Sequence, residues 1–208
     1  MTKLEKLFGI LILISLVLKL NILPYGGILL TVSMMALVFY YLQFGKAIFN
    51  DIELKKSLKK DSYKEVPNSL ITISKATGIG LSFVCVGILF KLNHWGSSSM
   101  IFLVGLGIIL LISAVTMIGW IKSKNETYKR ILSRTLIIGG FGLIMVMIPS
   151  LTITKVQFRN HPDYIKVYEA YLQDQDNEEI REKLDIEFNK VTMSEKEFED
   201  FMENRLEE

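Results

Sequence analysis

Two short segments, 72 residues apart, carry the side chains that could do chemistry. Lys19-Leu20-Asn21 and Lys91-Leu92-Asn93 are identical triplets, and His94 and Trp95 follow the second one. A lysine beside a histidine could bind an anion or relay protons, because imidazole titrates near neutral pH. The candidate residues are Lys19, Asn21, Pro24, Lys91, Asn93, His94 and Trp95.

The same residues also fit a purely structural helical turn. A lysine in the last turn of a helix meets free carbonyl groups, and Asn tolerates the left-handed backbone that ends many helices. Pro24 can open the helix that follows. His94 and Trp95 would then lie at headgroup depth, where amphipathic rings are favoured. Both interpretations, a capped turn and a ligand or proton site, stay open.

No other pattern in the chain predicts a catalytic, cofactor or metal site. Asp174 to Glu178 resembles the start of a calcium loop, but Glu179 stands where that loop requires Gly. The single cysteine, Cys85, cannot form an intramolecular disulfide or a metal set. We therefore predict no enzyme activity, no cofactor and no nucleic-acid partner.

The segments on either side of these turns are predicted to be membrane helices. Three blocks of at least 20 residues have no charged residue: 20–45, 92–121 and 135–154. About 20 apolar residues span a bilayer core as a helix. Two shorter apolar blocks, 7–18 and 76–90, end at lysines that can reach the headgroups. The predicted fold is an all-α polytopic membrane protein with spans at 5–22, 25–44, 70–92, 98–121 and 134–153.

The lysines and arginines predict the organisation of the chain in the membrane. The loops at 46–69 and 122–134 and the N-terminus hold almost all of them outside the tail, and the two tight turns contribute only Lys19 and Lys91. Basic short loops stay cytoplasmic. The N-terminus and both basic loops should be cytoplasmic and the turns outside. The predicted divisions are hairpin 1 (1–45), basic loop (46–69), hairpin 2 (70–121), basic loop (122–134), fifth helix (135–154) and acidic tail (155–208).

The start of the chain also resembles a signal peptide, but no small-residue cleavage pattern follows, so a retained first helix is favoured. The tail holds 16 acidic and eight basic residues, a net charge of −8. Its apolar spacing predicts short helices from Pro162 and from Glu178, and Thr192 to Glu195 reads as a capping box that opens a third. Five spans place this tail outside.

Glycines recur within the predicted spans and indicate close helix packing, within one chain or between copies. The matching triplets and the similar context around them also suggest a duplicated helical hairpin. The glycines are Gly78, Gly80, Gly87, Gly105, Gly107, Gly139, Gly140 and Gly142.

The second turn, Phe90 to Ser97, resembles the Phe-Lys-x-x-His-Trp-Pro-Gly-Ala signature of the transmembrane hairpin in GldL, the membrane motor component of gliding motility and type IX secretion. The resemblance covers about 70–121 closely and the first hairpin loosely, and Lys91 and His94 match positions of the signature. The Pro-Gly after Trp is replaced here by Gly96-Ser97. The motor family also carries an acidic residue in the helix after the turn, whereas 28–44 and 100–121 contain none.

These observations favour a non-enzymatic scaffold or interaction protein of the bacterial inner membrane. The expected partners are the bilayer and other membrane or envelope proteins, reached through the acidic tail and the glycine-rich faces, with a homo-oligomer as a further option. The alternative is an accessory subunit of a GldL-like ion-driven machine. A transporter is the least favoured, because deep titratable groups are missing from the uncharged spans.

Overall fold

The computed structural model describes residues 2–95 and 98–206, and within those ranges every regular element is helical. The position of Ser97, which could have capped the second helix of hairpin 2, lies outside the described residues. The α-helices are α1 (Lys3–Leu20), α2 (Gly26–Phe49), α3 (Asn68–Leu92), α4 (Ser98–Ser123), α5 (Glu126–Arg134), α6 (Gly140–Met147), α7 (Ser150–Gln157), α8 (Pro162–Gln173), α9 (Glu178–Thr192) and α10 (Glu195–Leu206).

Four helical stretches are long and apolar enough to cross a membrane: α2, α3, α4 and the continuous stretch Glu126–Met147. α1 is 18 residues long and carries charged residues at both ends, namely Lys3, Glu5, Lys6 and Lys19. The all-helical membrane fold is therefore confirmed in its coarse form. The fifth span, which depends on α1, stays a prediction.

The last apolar stretch differs from its predicted bounds of 134–153. It begins at Glu126, inside the segment interpreted as a basic loop, and passes through a π-helical section at Thr135–Gly139. It ends at Met147 because Pro149 excludes the helical backbone at Ile148, whose ψ is 122°. α7 then begins as a separate helix at Ser150.

Glycines bring the long helices together, as predicted. A Cβ on Gly78 of α3 would lie 2.5 Å from the backbone oxygen of Tyr41 in α2, and one on Gly105 of α4 would lie 2.8 Å from the backbone nitrogen of Val84. Gly80, Gly87, Gly139 and Gly142 also contact neighbouring side chains. A Cβ on Gly107 or Gly140 would meet nothing within 4 Å among the described residues, so these two glycines mark no packing contact there.

The two ends of the helical bundle differ in what they hold. At one end Thr2 bonds Tyr40 at 2.7 Å, and Arg130 bonds the backbone oxygen of Phe49 at 3.1 Å, which gathers the N-terminus, the loop after α2 and α5. At the other end lie both tight turns, the end of α6 and the tail. Arg159 of the tail donates to Asn21 Oδ1 there, at 2.9 Å.

The tail forms its predicted helices, and its small core is completed by the first turn. Phe158, Tyr164 and Tyr168 are buried together, with Ile22 and Leu151 packed against them. The capping box of α10 lies two residues later than predicted. Ser194 and Glu197 exchange its hydrogen bonds, because α9 continues through Thr192.

Candidate functional site

The two tight turns have the same hydrogen-bond pattern. In the first, the amides of Ile22 and Leu23 donate to the carbonyls of Lys19 and Leu18. In the second, His94 and Trp95 donate to Lys91 and Phe90, again 72 residues later. This pair of bonds is the Schellman motif, in which the residue after the helix cap takes the left-handed conformation. The equality of the two turns supports the repeat hypothesis.

The sequence predicted that the asparagine of each turn has the left-handed conformation, but in the structure the following residue has it. Asn21 and Asn93 have φ of −102° and −92°, while Ile22 and His94 have φ of 54° and 56°. The prediction was wrong by one position because the motif places its left-handed residue after the cap. At Ile22 the strain is real, since a side chain in this region costs about 1–2 kcal/mol.

The two asparagines instead form hydrogen bonds through their side chains. Asn21 donates to the Val17 carbonyl at 2.8 Å and accepts from Arg159 of the tail. Asn93 accepts from Lys19 Nζ at 2.7 Å and donates to Thr31 of α2 at 3.3 Å. Lys19 and Asn93 therefore link hairpin 1 to the second turn.

Lys91 is buried and donates to the Val146 carbonyl of α6 at 3.2 Å. The sequence predicted a bond to the free carbonyls at the end of its own helix, α3, whereas the carbonyl that Lys91 contacts belongs to the end of α6. Lys19 and Lys91, although equivalent in the two turns, thus bond different partners.

His94 lies under the tail. Its Nε2 is 3.2 Å from Gln157 Oε1, its Nδ1 is 3.5 Å from Thr154 Oγ1, and its ring contacts the rings of Phe158 and Tyr168. Burial lowers the pKa of His94, the bond to Gln157 raises it in part, and the nearby Lys19 charge lowers it. The imidazole therefore lies in contact with the tail, where burial favours its neutral form.

The remaining predicted turn residues lie at the surface. Trp95 is 48% exposed and packs edge to face on Phe90, with ring centroids 5.1 Å apart. That contact is the apolar pair that commonly accompanies a Schellman motif. Pro24 is exposed in the first turn, and Tyr25, in the left-handed region, precedes α2. Lys91 and His94 themselves bond different elements, α6 and α7 respectively.

A buried ion pair that was not among the predicted site residues lies at the opposite end of the bundle. Arg134 Nε donates to Glu5 Oε1 at 2.6 Å and Arg134 Nη2 donates to Oε2 at 2.9 Å. The Tyr41 hydroxyl donates to the same carboxylate at 2.9 Å. The Glu5 side chain is 0% exposed and that of Arg134 is 5% exposed. The uncharged spans do lack acids, but the bundle contains one buried carboxylate.

Two signals could have pointed to Glu5. It is the one acidic residue among the first 50, and Thr2-x-x-Glu5 is a capping-box pattern that the structure confirms. Its partner Arg134 is 129 positions away and was counted as part of a basic loop. Within the described residues, no group of three or more His, Cys, Asp or Glu side chains could hold a metal ion.

The second hairpin is similar to a known protein family. Residues 76–129 match the family model of the GldL N-terminal domain. The resemblance suggested by the turn motif is therefore confirmed for most of α3, all of α4 and the start of α5. The match covers about a quarter of the chain.

No curated protein and no solved structure matches the chain. The GldL-type segment and the apolar helices together support a multi-pass protein of the bacterial inner membrane. The GldL-type turn is the part of this segment that the tail covers.

Proposed function

We propose that this chain is a non-enzymatic membrane scaffold in which a GldL-type hairpin is joined to further helices and to an acidic tail. The observation that carries the proposal is the use of the ionisable side chains inside the bundle. Glu5 and Arg134 join α1 to α5, Lys19 joins α1 to the second turn, and Lys91 joins α3 to α6. Each of these side chains forms a bond that links two elements of the chain.

Close packing argues against a transport pathway between the helices. At Gly45 and Gly78 the backbones of α2 and α3 approach so closely that a side chain at Gly78 would strike the backbone of Tyr41. A transport route would instead need discontinuous helices and polar groups that line a cavity at mid-depth.

The partner surface of the scaffold is the acidic tail. The exposed carboxylates of α10 belong to a tail of net charge −8, and they suit a basic surface on another membrane or envelope protein. The exposed apolar face around Gly107 would contact lipid or a second copy. The turns and tail face the outside, and the basic loops face the cytoplasm.

The second candidate is an accessory subunit of a GldL-like ion-driven machine. The specific observation that favours it is the match of residues 76–129, which contains both Lys91 and His94. In that role the two side chains would act on protons or ions rather than hold the tail.

Complementation of a deletion strain separates the two candidates. A Lys91→Gln and His94→Asn double variant removes both titratable groups but keeps a hydrogen-bond donor at each position, and Asn still tolerates the left-handed backbone at position 94. A scaffold predicts near-normal complementation by this variant, whereas neutralising the exposed acids of α10 abolishes it. The acids to be replaced by their amides are Glu195, Glu199, Asp200 and Glu203.

The accessory-subunit candidate predicts the reverse. The double variant would then reach the membrane at the normal level and fail to complement, while the neutralised α10 would still work. Immunoblots of the membrane fraction provide the control for expression of both variants.

A further inference from the structure

A groove of about 390 Å³ lies beside the first turn, on the side where α1, α2 and the second turn meet. Its polar part is formed by Lys19, Asn93 and Thr31. Its apolar part is formed by Ile28 and Val32 of α2, which are exposed on the flank of a membrane helix. One end of the groove is therefore cationic and the other is apolar.

The ammonium group of Lys19 is incompletely bonded within the described chain. It donates one hydrogen bond, to Asn93 Oδ1, and forms no ion pair with any carboxylate of the described residues. An ammonium group has three N–H donors. Lys19 therefore keeps two N–H donors for an anionic group that enters the groove.

The depth of the groove fits an amphipathic ligand. Lys19 lies one residue before the end of α1, at the level of the turn, while Ile28 and Val32 are one helical turn apart on α2. That turn reaches about 6 Å further along the helix. Trp95 lines the groove and has the half-exposed position typical of the headgroup layer.

The tail closes the groove on one side. Phe188 of α9 lines it, and Phe188 is itself held by ring contacts with Phe158 and Tyr164. On the side of α2, a Cβ at Gly27 would lie 3.9 Å from Lys19 Nζ, so the absence of a side chain there leaves the ammonium group accessible.

We propose that this groove binds an anionic glycerophospholipid, with its phosphate at Lys19 and Asn93 and an acyl chain along Ile28 and Val32. The charge of Lys19, the apolar flank and the interfacial level all match that one ligand. A single lysine at a membrane surface corresponds to about fivefold enrichment of an anionic over a zwitterionic lipid.

Tryptophan quenching tests the site in the full-length protein. Trp120→Phe leaves Trp95 as the one tryptophan, and the protein is placed in nanodiscs that contain either brominated phosphatidylglycerol or brominated phosphatidylcholine at the same mole fraction. We expect stronger quenching of Trp95 by the anionic lipid. Lys19→Gln should remove that difference, Gly27→Leu should remove it with the charge intact, and Lys19→Arg should retain it.

The other tryptophan provides the matched control. Trp95→Phe leaves Trp120, which lies next to Lys124 at the far end of α4. Lys19→Gln should not change the quenching of Trp120 by either lipid. Equal quenching of Trp95 by the two lipids in the parent protein, or a difference that survives Lys19→Gln, would overturn the proposal. Retained helix content and melting temperature show that each variant is folded.

Discussion

At the scale of single residues, the chain uses charge to hold helices together. The carboxylate of Glu5 receives bonds from Arg134, Tyr41 and the Thr2 amide, so a group that would be costly to bury alone is fully bonded. His94 serves in the same way as a neutral ring under the tail. In both places the polar group specifies which segments meet.

The Glu5–Arg134 pair predicts a strongly non-additive response to mutation. Arg134→Met leaves the buried carboxylate without its counter-charge, and we expect a loss of about 3–5 kcal/mol of unfolding free energy. The double variant Glu5→Gln and Arg134→Met should lose less than Arg134→Met alone. Thermal unfolding in detergent measures these two variants and Glu5→Gln alone, and a double-variant loss equal to the sum of the two single losses would contradict the assignment of a buried ion pair.

The burial of His94 under the tail predicts that docking of the tail depends on pH. Because burial lowers the pKa of His94 below its usual 6.5, the docked tail favours the neutral ring. When the tail is undocked, His94 has its ordinary pKa of about 6.5 and binds a proton more readily than in the docked state. Docking is therefore strongest above about pH 6.5 and weakens as the pH falls below it.

Spin labels on cysteines at Pro24 and Lys166, in a Cys85→Ser background, measure that docking. The distance distribution between them should broaden between about pH 7.5 and about pH 5. With His94→Asn added, it should be the same at both pH values. An equal broadening in the Asn variant would assign the pH effect to another group.

At the scale of elements, helix packing depends on individual glycines. Gly78 meets the backbone of Tyr41, which cannot move aside as a flexible side chain could. A Cβ added to Gly107 on α4 would meet no other group within 4 Å in the part of the chain that the structure describes. The two positions form a natural comparison of a buried contact with an open surface.

We expect Gly78→Ala to lower the unfolding free energy by about 1–3 kcal/mol, because the added methyl group overfills the α2–α3 contact. Gly107→Ala should be neutral or stabilise by up to about 1 kcal/mol through helix propensity. Thermal unfolding of both variants in detergent checks this order. A Gly78→Ala protein as stable as the parent would show that the helices are not packed at this contact.

Much of the element scale could be predicted from the sequence. Uncharged blocks and lysine-flanked ends were sufficient to predict the long apolar helices, and apolar spacing was sufficient for the tail helices. The bounds of the last apolar helix were missed because Lys122 to Arg134 has the composition of a loop, although 126–134 is helical. The Glu5–Arg134 pair was missed because burial of charges depends on contacts between distant segments.

At the scale of the whole molecule, the bundle has one end that holds the N-terminus and the basic loop and another end where the turns and the tail meet. Asn21 and His94, from the two turns, both bond the tail, through Arg159 and Gln157. The tail is thus a part of the turn end of the bundle. The scaffold proposal requires this end to face away from the cytoplasm.

Single-cysteine labelling measures that orientation most directly. Cysteines are placed at Leu23 in the first turn, at Lys196 in the tail and at Leu58 in the basic loop, where the native side chain is 85% exposed, each in a Cys85→Ser background. With a membrane-impermeant maleimide on cells made permeable only at the outer membrane, Leu23→Cys and Lys196→Cys should label, and Leu58→Cys should label only after lysis. Labelling of Leu58→Cys before lysis, or protection of Lys196→Cys together with labelling of Leu23→Cys, would contradict the account.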